Sequence, residues 1–313
     1  MSSLPKITVI TGPTATGKSE LGVQLAENIN GEIISADSMQ IYKHMNIGTA
    51  KPTRDEMRSI SHYMIDIVSP FEDYSVARYV EGASKCIDDI FMRGKQPVIV
   101  GGTGLYIDSL IAGRAFLNRG DENLRKELED EFDNVGGEAM LRKMHEFDAE
   151  SAVKLHSNDK KRIVRAMETF LATGKTISQH DNESKAMPPK YNAVKYALNF
   201  AQRDDLYSRI DNRVDTMILK GLENEVKELL NLGVTNKNTS MQAIGYKELS
   251  SAILKGSDIN AAVEKIKMES RRYAKRQLTW LRRDSNVNWV LWDKNPDFSY
   301  GIHAILEYER SAV

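Results

Sequence analysis

Ile7–Thr11 is a short β-branched run that reads as a buried strand. It leads into Gly12–Ser19, and a helical pattern follows with Leu21, Leu25 and Ile29 on one side. A second strand is expected over Glu32–Ala36, ending at Asp37, and a third over Pro97–Val100, stopping at Gly101-Gly102-Thr103-Gly104. Strands that alternate with helices imply βαβ units and a mostly parallel sheet. Ligands of such sheets sit outside the carboxyl ends of the strands. Gly12–Ser19, Asp37 and Thr103 each follow a strand end, so the pattern predicts that they converge on one crevice.

From about Arg119 to Ala186 the pattern changes. This stretch is rich in charge, lacks a convincing strand, and is divided into short helices by Gly136-Gly137, Ser157-Asn158-Asp159 and Thr173-Gly174. Pro188-Pro189 marks its end. Val194–Phe200 returns as a strand, helical patterns cover about 203–232, 240–254 and 259–283, and Val287–Leu291 forms a last strand carrying Trp289. The expected organisation is a core built from 1–118 and 187–313, with a small all-helical domain, 119–186, inserted into it.

With 41% hydrophobic residues the chain can bury a proper core. No apolar run approaches the roughly 20 residues that span a bilayer, and the N-terminus shows no cleavable signal pattern. Cys86 is the single cysteine, which excludes an intrachain disulfide and a cysteine-based zinc site and fits a reducing compartment, most simply the cytoplasm. The six histidines show no metal-ligand spacing and receive no role. A net charge of -1 hides a local asymmetry: Arg271, Arg272, Lys275, Arg276, Arg282 and Arg283 occur without an acidic residue among them. Such a stretch suits nucleic acid, and equally a solvated helix face.

Gly12-Pro13-Thr14-Ala15-Thr16-Gly17-Lys18-Ser19 fits G-x-x-x-x-G-K-[ST] between a strand and a helix. The glycines let the loop wrap with its N–H groups inward, and the helix N-terminus favours an anion. Lys18 would reach the terminal phosphates and Ser19 would ligate Mg²⁺. The fold class is therefore α/β, a P-loop NTPase-like parallel sheet flanked by helices. Gly174-Lys175-Thr176 looks alike but follows a helix, where Gly174 serves as a C-cap.

Kinases, NTPases and diphosphate-displacing transferases can all use a P-loop. Asp37 discriminates among them, because a carboxylate beside the phosphates can hold Mg²⁺ or act on a nucleophile; as an ordinary structural residue it would cap the next turn. The Pro97–Val100 strand ends in Gly-Gly-Thr where an ordinary P-loop ATPase carries an acid. Thr103 could approach a phosphate or bond its own turn. Arg209 and Arg213, one helical turn apart, could clamp a diphosphate or pair with Asp205 or Asp211. Lys160–Arg165 and 271–283, the latter interleaved with Tyr273 and Trp280, could contact a polynucleotide or be amphipathic helix faces.

These motifs resemble the tRNA dimethylallyltransferases, also called isopentenyl-tRNA transferases. The resemblance rests on Gly12–Ser19, Asp37–Tyr42, Ile47–Pro52, Gly101–Tyr106, Lys161–Arg165, Gln242–Tyr246 and Lys275–Arg282, in the family's order over nearly the whole chain. It implies transfer of a dimethylallyl group from its diphosphate to the exocyclic amine of the adenine just 3′ of the anticodon, with Mg²⁺ and no membrane partner. By position, Asp37 matches the aspartate that accepts a proton from the amine or orients it. Lys18, Ser19 with Mg²⁺, Thr103 and Arg213 match the diphosphate-binding set. Asp37, Ser38, Met39, Gln40, Thr103, Arg125, Lys161, Arg162, Ile163, Val164, Arg165, Met241, Gln242, Gly245, Tyr246, Lys275, Arg276 and Arg282 fall where the family contacts the tRNA anticodon stem-loop. Thr16 stands where Ser is common, and Gly104 occupies a variable site. The zinc-finger extension of some eukaryotic relatives is absent, which suits the bacterial type, and a monomer is expected. The target base must leave its stack to react. A small-molecule kinase, a prenyltransferase acting on free adenine nucleotide and an NTP-regulated RNA-binding switch remain the alternatives.

Overall fold

The computed structural model describes residues 4–113, 122–186 and 188–311. The chain divides into two compact units, Met1–Ile111 with Lys190–Val313, and Ala112–Pro189. The expected boundary at 118/119 and the residue Met187 lie outside the described residues.

The first unit runs β1 (Lys6–Thr11), α1 (Lys18–Asn28), β2 (Gly31–Ser35), α2 (Arg54–Met57), β3 (His62–Tyr63), α3 (Val76–Met92), β4 (Gln96–Val100) and α4 (Gly104–Ala112). In the second unit lie α5 (Glu122–Val135), α6 (Gly137–Phe147), α7 (Ala149–Ala152), α8 (Lys160–Thr173) and α9 (Ile177–Ala186). The first unit resumes with β5 (Asn192–Phe200), α10 (Arg203–Leu219), α11 (Leu222–Asn231), a 3₁₀ turn at Ser240–Gln242, α12 (Tyr246–Lys255), α13 (Ile259–Leu281), β6 (Val287–Trp292) and α14 (Phe298–Ser311).

The six strands form one parallel sheet in the order β3-β2-β4-β1-β5-β6. Strand alternation divides its side chains between two cores. Ile10, Val98 and Leu198 pack with Leu21 and Leu25 of α1, Leu206 and Ile210 of α10, and Ile302 and Ile305 of α14. Ile7, Val9, Ile34 and Ile99 pack with Tyr79, Ala83, Ile87 and Ile90 of α3 and Ile107 of α4. A third cluster joins Ile41, Tyr42 and Met45 to Val214, Leu222, Val226, Tyr246, Leu249 and Ile266, carried on α10–α13.

Three elements depart from the pattern read along the chain. The stretch 203–232 is two helices, because Gly221 takes φ 96 and breaks it. The first turn of 240–254 is a separate 3₁₀ turn followed by Gly245 at φ 97. β3, with two residues, has no apolar run to announce it and exists through pairing of His62 and Tyr63 with Ile33 and Ile34.

In the second unit, Leu128, Met140, Ile163, Val164 and Met167 form the core, with Phe147 stacked on Phe170 at 4.1 Å. Gly174 ends α8 at φ 70, as a C-cap glycine does.

Candidate active site

β1 hands the chain to Gly12, which turns out of the sheet at φ +142; a Cβ there would stand 2.5 Å from the Leu198 carbonyl oxygen. The loop passes through the left-handed region at Ala15 (φ 66) and Gly17 (φ 86). Thr16 Oγ1 and Lys18 Nζ each donate to the Pro13 carbonyl at 2.8 Å, which closes it from within. Residues distant in sequence brace it from outside. Trp292 Nε1 donates to the Thr16 carbonyl at 2.9 Å, Arg209 Nε to the Ala15 carbonyl at 3.2 Å, and the Thr14 N–H to Gln277 Oε1 at 2.9 Å. The Phe298 ring covers Gly17, where a Cβ would meet it at 2.9 Å.

At the end of β2, Asp37 Oδ1 accepts the N–H groups of Met39 at 2.8 Å and Gln40 at 3.3 Å. Asp37 thus caps its own turn and also lines the crevice. Thr103, after β4, does not bond its own turn through the hydroxyl. Its Oγ1 accepts the Ser38 N–H at 3.1 Å, and its N–H donates to the Ala36 carbonyl at 3.1 Å. The first residue after the strand cannot be an acid: a Cβ on Gly101 would lie 2.2 Å from the Ala36 carbonyl oxygen, whereas one on Gly102 would lie 2.2 Å from Gln277 Nε2 and would displace that amide.

Two cavities meet at these strand ends. The first, about 520 Å³, is lined by Thr14, Ala15, Gly17, Lys18 and Ser19 of the loop and by Asp37, Gln40, Arg209, Arg213, Tyr273 and Gln277. The second, about 320 Å³, is lined by Ser38, Met39, Gln242, Gly245 and Arg276 over an apolar floor of Ile210, Val214, Met217, Leu222 and Ile266. Thr14, Asp37, Thr49, Arg213 and Tyr273 belong to both. Thr103 lines neither; its hydroxyl meets the junction through Ser38 and Tyr273.

The junction is strongly polarised. Burial pushes the Lys18 ammonium down to about 7, the Arg213 guanidinium adds to that shift, and the Asp37 carboxylate opposes it. Burial also lowers Arg213, against the pull of Asp37. Burial and then the Asp37 carboxylate push the Tyr273 phenol up to about 12, with the Thr103 hydroxyl opposing. Asp211 pairs with Arg271, which leaves Arg209 and Arg213 to the loop and the cavity.

The remaining residues singled out in the sequence are distributed differently. Lys275, Arg276 and Arg282 are exposed on or beside α13, and Gln242 is exposed. The side chains of Met241 and Tyr246 are fully buried, so those positions shape the segment from within and offer no side-chain surface to RNA. Gln40 spends its amide on the Thr49 and Ala50 carbonyls, both at 3.3 Å. Trp280 is packing, with Nε1 on Asp108 at 2.7 Å and its ring against Gly104. Within the second unit Lys161 and Arg162 are exposed, whereas Ile163 and Val164 are core. Arg125 and Arg165 share the buried Glu168 carboxylate, each at 2.9 Å.

Profiles of two families match the chain: IPP transferase over residues 40–284 and isopentenyl transferase over residues 5–69. The chain belongs to the IPP transferase family. It is 47% identical over 292 residues to the tRNA dimethylallyltransferase of Acetivibrio thermocellus, covering 93% of each chain, and 43% identical to that of Geobacter sulfurreducens, covering 94% of each. Among solved structures it resembles the tRNA isopentenylpyrophosphate transferase of Bacillus halodurans (TM-score 0.73, 40% identity, 98% of this chain and 96% of that one). It also resembles a eukaryotic dimethylallyltransferase acting on tRNA (TM-score 0.80, 31% identity, 93% of this chain and 74% of that one).

Two residues that hold this site together are not singled out individually in the sequence. Gln277 ties the P-loop to the end of β4 from α13. Glu225, buried on α11, accepts the consecutive N–H groups of Asn46, Ile47 and Gly48 at 2.9, 2.9 and 3.2 Å and the Tyr246 hydroxyl at 2.5 Å. That clamp fixes the segment before Thr49, at the cavity junction. A run of three free N–H groups leaves no trace in a sequence, and Glu225 reads as one acid among several on an amphipathic helix.

Proposed function

We propose that this protein transfers the dimethylallyl group of dimethylallyl diphosphate to the exocyclic amine of the adenine immediately 3′ of the anticodon in tRNA. The observation that carries the reading is Asp37 at the junction of a P-loop cavity and a second, apolar-floored cavity bordered by Met39, Gln242 and Arg276. The diphosphate belongs against Lys18, Arg209 and Arg213, where cationic and N–H donors neutralise the departing oxygens. The flipped adenine belongs in the second cavity, with its amine toward Asp37.

The amine nitrogen bonds to the allylic carbon as the carbon–oxygen bond breaks, and the bonding pair leaves with diphosphate. Asp37 orients the amine and takes its proton; Thr103 holds the Asp37–Ser38 turn in register. Positioning and charge stabilisation are the protein's main tasks, because no covalent nucleophile is required. Among the described residues no three His, Cys, Asp or Glu side chains group to hold a metal by themselves. Mg²⁺ fits regardless, since it binds through one or two protein oxygens plus substrate phosphates and keeps its waters. Ser19, exposed on the first turn of α1, would be its protein ligand. Bound there it would neutralise diphosphate charge.

Lys275, Arg276, Arg282, Arg125, Lys161, Arg162 and Arg165 supply tRNA phosphate contacts, with Ser38, Met39, Gln242 and Gly245 at the base; Gln40, on the wall of the first cavity, holds the Thr49–Ala50 segment in place. A monomer suffices for the chemistry, since both cavities draw all their lining residues from one unit of one chain. The cytoplasm, where tRNA and an unpaired Cys86 are both at home, is the proposed location; among the described residues no helix is long and apolar enough to cross a membrane.

The test is incubation with unmodified tRNA and labelled dimethylallyl diphosphate, followed by mass mapping of the nucleoside. Label on free adenine nucleotide alone, or ATP consumption without label transfer, overturns the reading. Asp37→Ala should lower the single-turnover rate about 10²-fold or more while pyrophosphate still binds. A near-normal rate removes Asp37 from the chemistry.

A further inference from the structure

The family resemblance assigns the stretch Lys275–Arg282 to RNA contact, yet one residue inside it points the other way. Gln277 is 6% exposed, and its amide is spent on two loops that lie 175 and 263 residues earlier in the chain. Oε1 accepts the Thr14 N–H at 2.9 Å, and Nε2 donates to the Gly102 carbonyl at 2.9 Å. The amide therefore joins the P-loop to the turn after β4, one residue before Thr103. It also fills the space in front of Gly102, where a Cβ would come within 2.2 Å of Nε2. Helix geometry places Tyr273 one turn away on the same face, and both residues line the first cavity.

We propose that Gln277 is a positioning residue for the diphosphate end of the reaction, fixing the P-loop against the β4 turn so that the diphosphate cradle and the Asp37–Thr103 junction keep one spacing. The amide does this with two bonds of opposite sense, which neither a hydrocarbon nor a carboxylate of similar size reproduces. A leucine offers no bond. A glutamate keeps the acceptor for Thr14, loses the donor for Gly102, and sets a negative charge beside the diphosphate. Alanine at Gly102 displaces the amide from the other side while leaving Gln277 in place.

The proposal rests on reading the P-loop cavity as a diphosphate site, and inorganic pyrophosphate with Mg²⁺ is the probe. Two lost hydrogen bonds predict that Gln277→Ala weakens pyrophosphate binding about 10-fold or more while the tRNA dissociation constant stays within about twofold. Gln277→Glu, closest in shape and so the variant that guards against misfolding, should weaken pyrophosphate binding at least as much. Gly102→Ala should show the same split in the wild-type background and add little to Gln277→Ala, because both remove one contact. Additive losses overturn the shared contact. Unchanged pyrophosphate affinity in Gln277→Ala overturns the proposal, as does a loss confined to tRNA, which would make Gln277 an RNA contact. Wild-type protein that binds no pyrophosphate instead refutes the diphosphate reading of the cavity itself.

Discussion

Lys18 provides the sharpest quantitative test of the site, because its amine sits near neutrality before any ligand arrives. In the free protein its pKa is lowered to about 7, chiefly by burial and then by Arg213. A bound diphosphate supplies the counter-charge that burial withholds and returns the amine to its charged form. Diphosphate binding should therefore take up a proton at any pH where free Lys18 is mostly neutral. The ligand does not blur the effect, since a phosphate's last proton leaves near pH 6. With a single group of pKa about 7, the apparent dissociation constant grows as one plus ten to the power of pH minus pKa. Between about pH 7.5 and about pH 9 that is roughly a 25-fold loss of affinity, or about 1.9 kcal/mol. At about pH 7.5 close to three-quarters of a proton should be taken up per ligand bound.

Calorimetric titration of an alkyl diphosphate in two buffers of different ionisation enthalpy measures both quantities at once. Lys18→Ala should bind more weakly at low pH and lose most of the slope. Affinity that is flat across that range in the wild type, with no proton uptake, would refute the account of Lys18. A slope retained in Lys18→Ala would assign the proton to another group.

Two further outcomes test the scaffold and the RNA surface. Glu225→Ala leaves three consecutive N–H groups and the Tyr246 hydroxyl without their acceptor, and should cost roughly 3–5 kcal/mol in urea unfolding, less than the plain sum because water reaches part of the loop; a loss below about 1 kcal/mol would mean that the clamp carries little. Binding of tRNA should weaken linearly in log–log salt titration, and Lys275→Ala or Lys161→Ala, both at exposed positions, should each reduce the slope by about 0.7–0.9; a flat salt response contradicts the basic contacts.

What the sequence makes legible follows from the range of the interactions involved. β1, β2, β4, β5 and β6 each contain an apolar run that reads as a strand from local sequence, and each of the three ligand-facing motifs follows such a run directly. β3 fails this criterion because pairing with β2 makes it a strand, and its two residues, His62 and Tyr63, are only partly buried. The helices after β5 are legible as helices, but their breaks depend on Gly221 and Gly245 at positive φ, and a lone glycine in an amphipathic pattern reads as tolerated. The α14 helix, whose Phe298 covers Gly17, follows the last strand without a phosphate motif of its own.

The same distinction explains the site. Lys18 and Asp37 are legible because their neighbours in sequence are their neighbours in space. Gln277 and Glu225 are not, because each bonds only to backbone groups or to a side chain brought near by the fold, and backbone N–H groups carry no residue code. Gln277 sits inside a run of basic residues, so composition draws attention to the exposed side of α13, while the buried side holds the P-loop. One helix thus presents Lys275 to solvent, Arg276 to the exposed border of the second cavity, and Tyr273 and Gln277 to the P-loop cavity. A substitution scan of α13 should therefore split by face and not by charge alone: losses at the exposed positions should track salt and tRNA, and losses at the buried ones should track diphosphate.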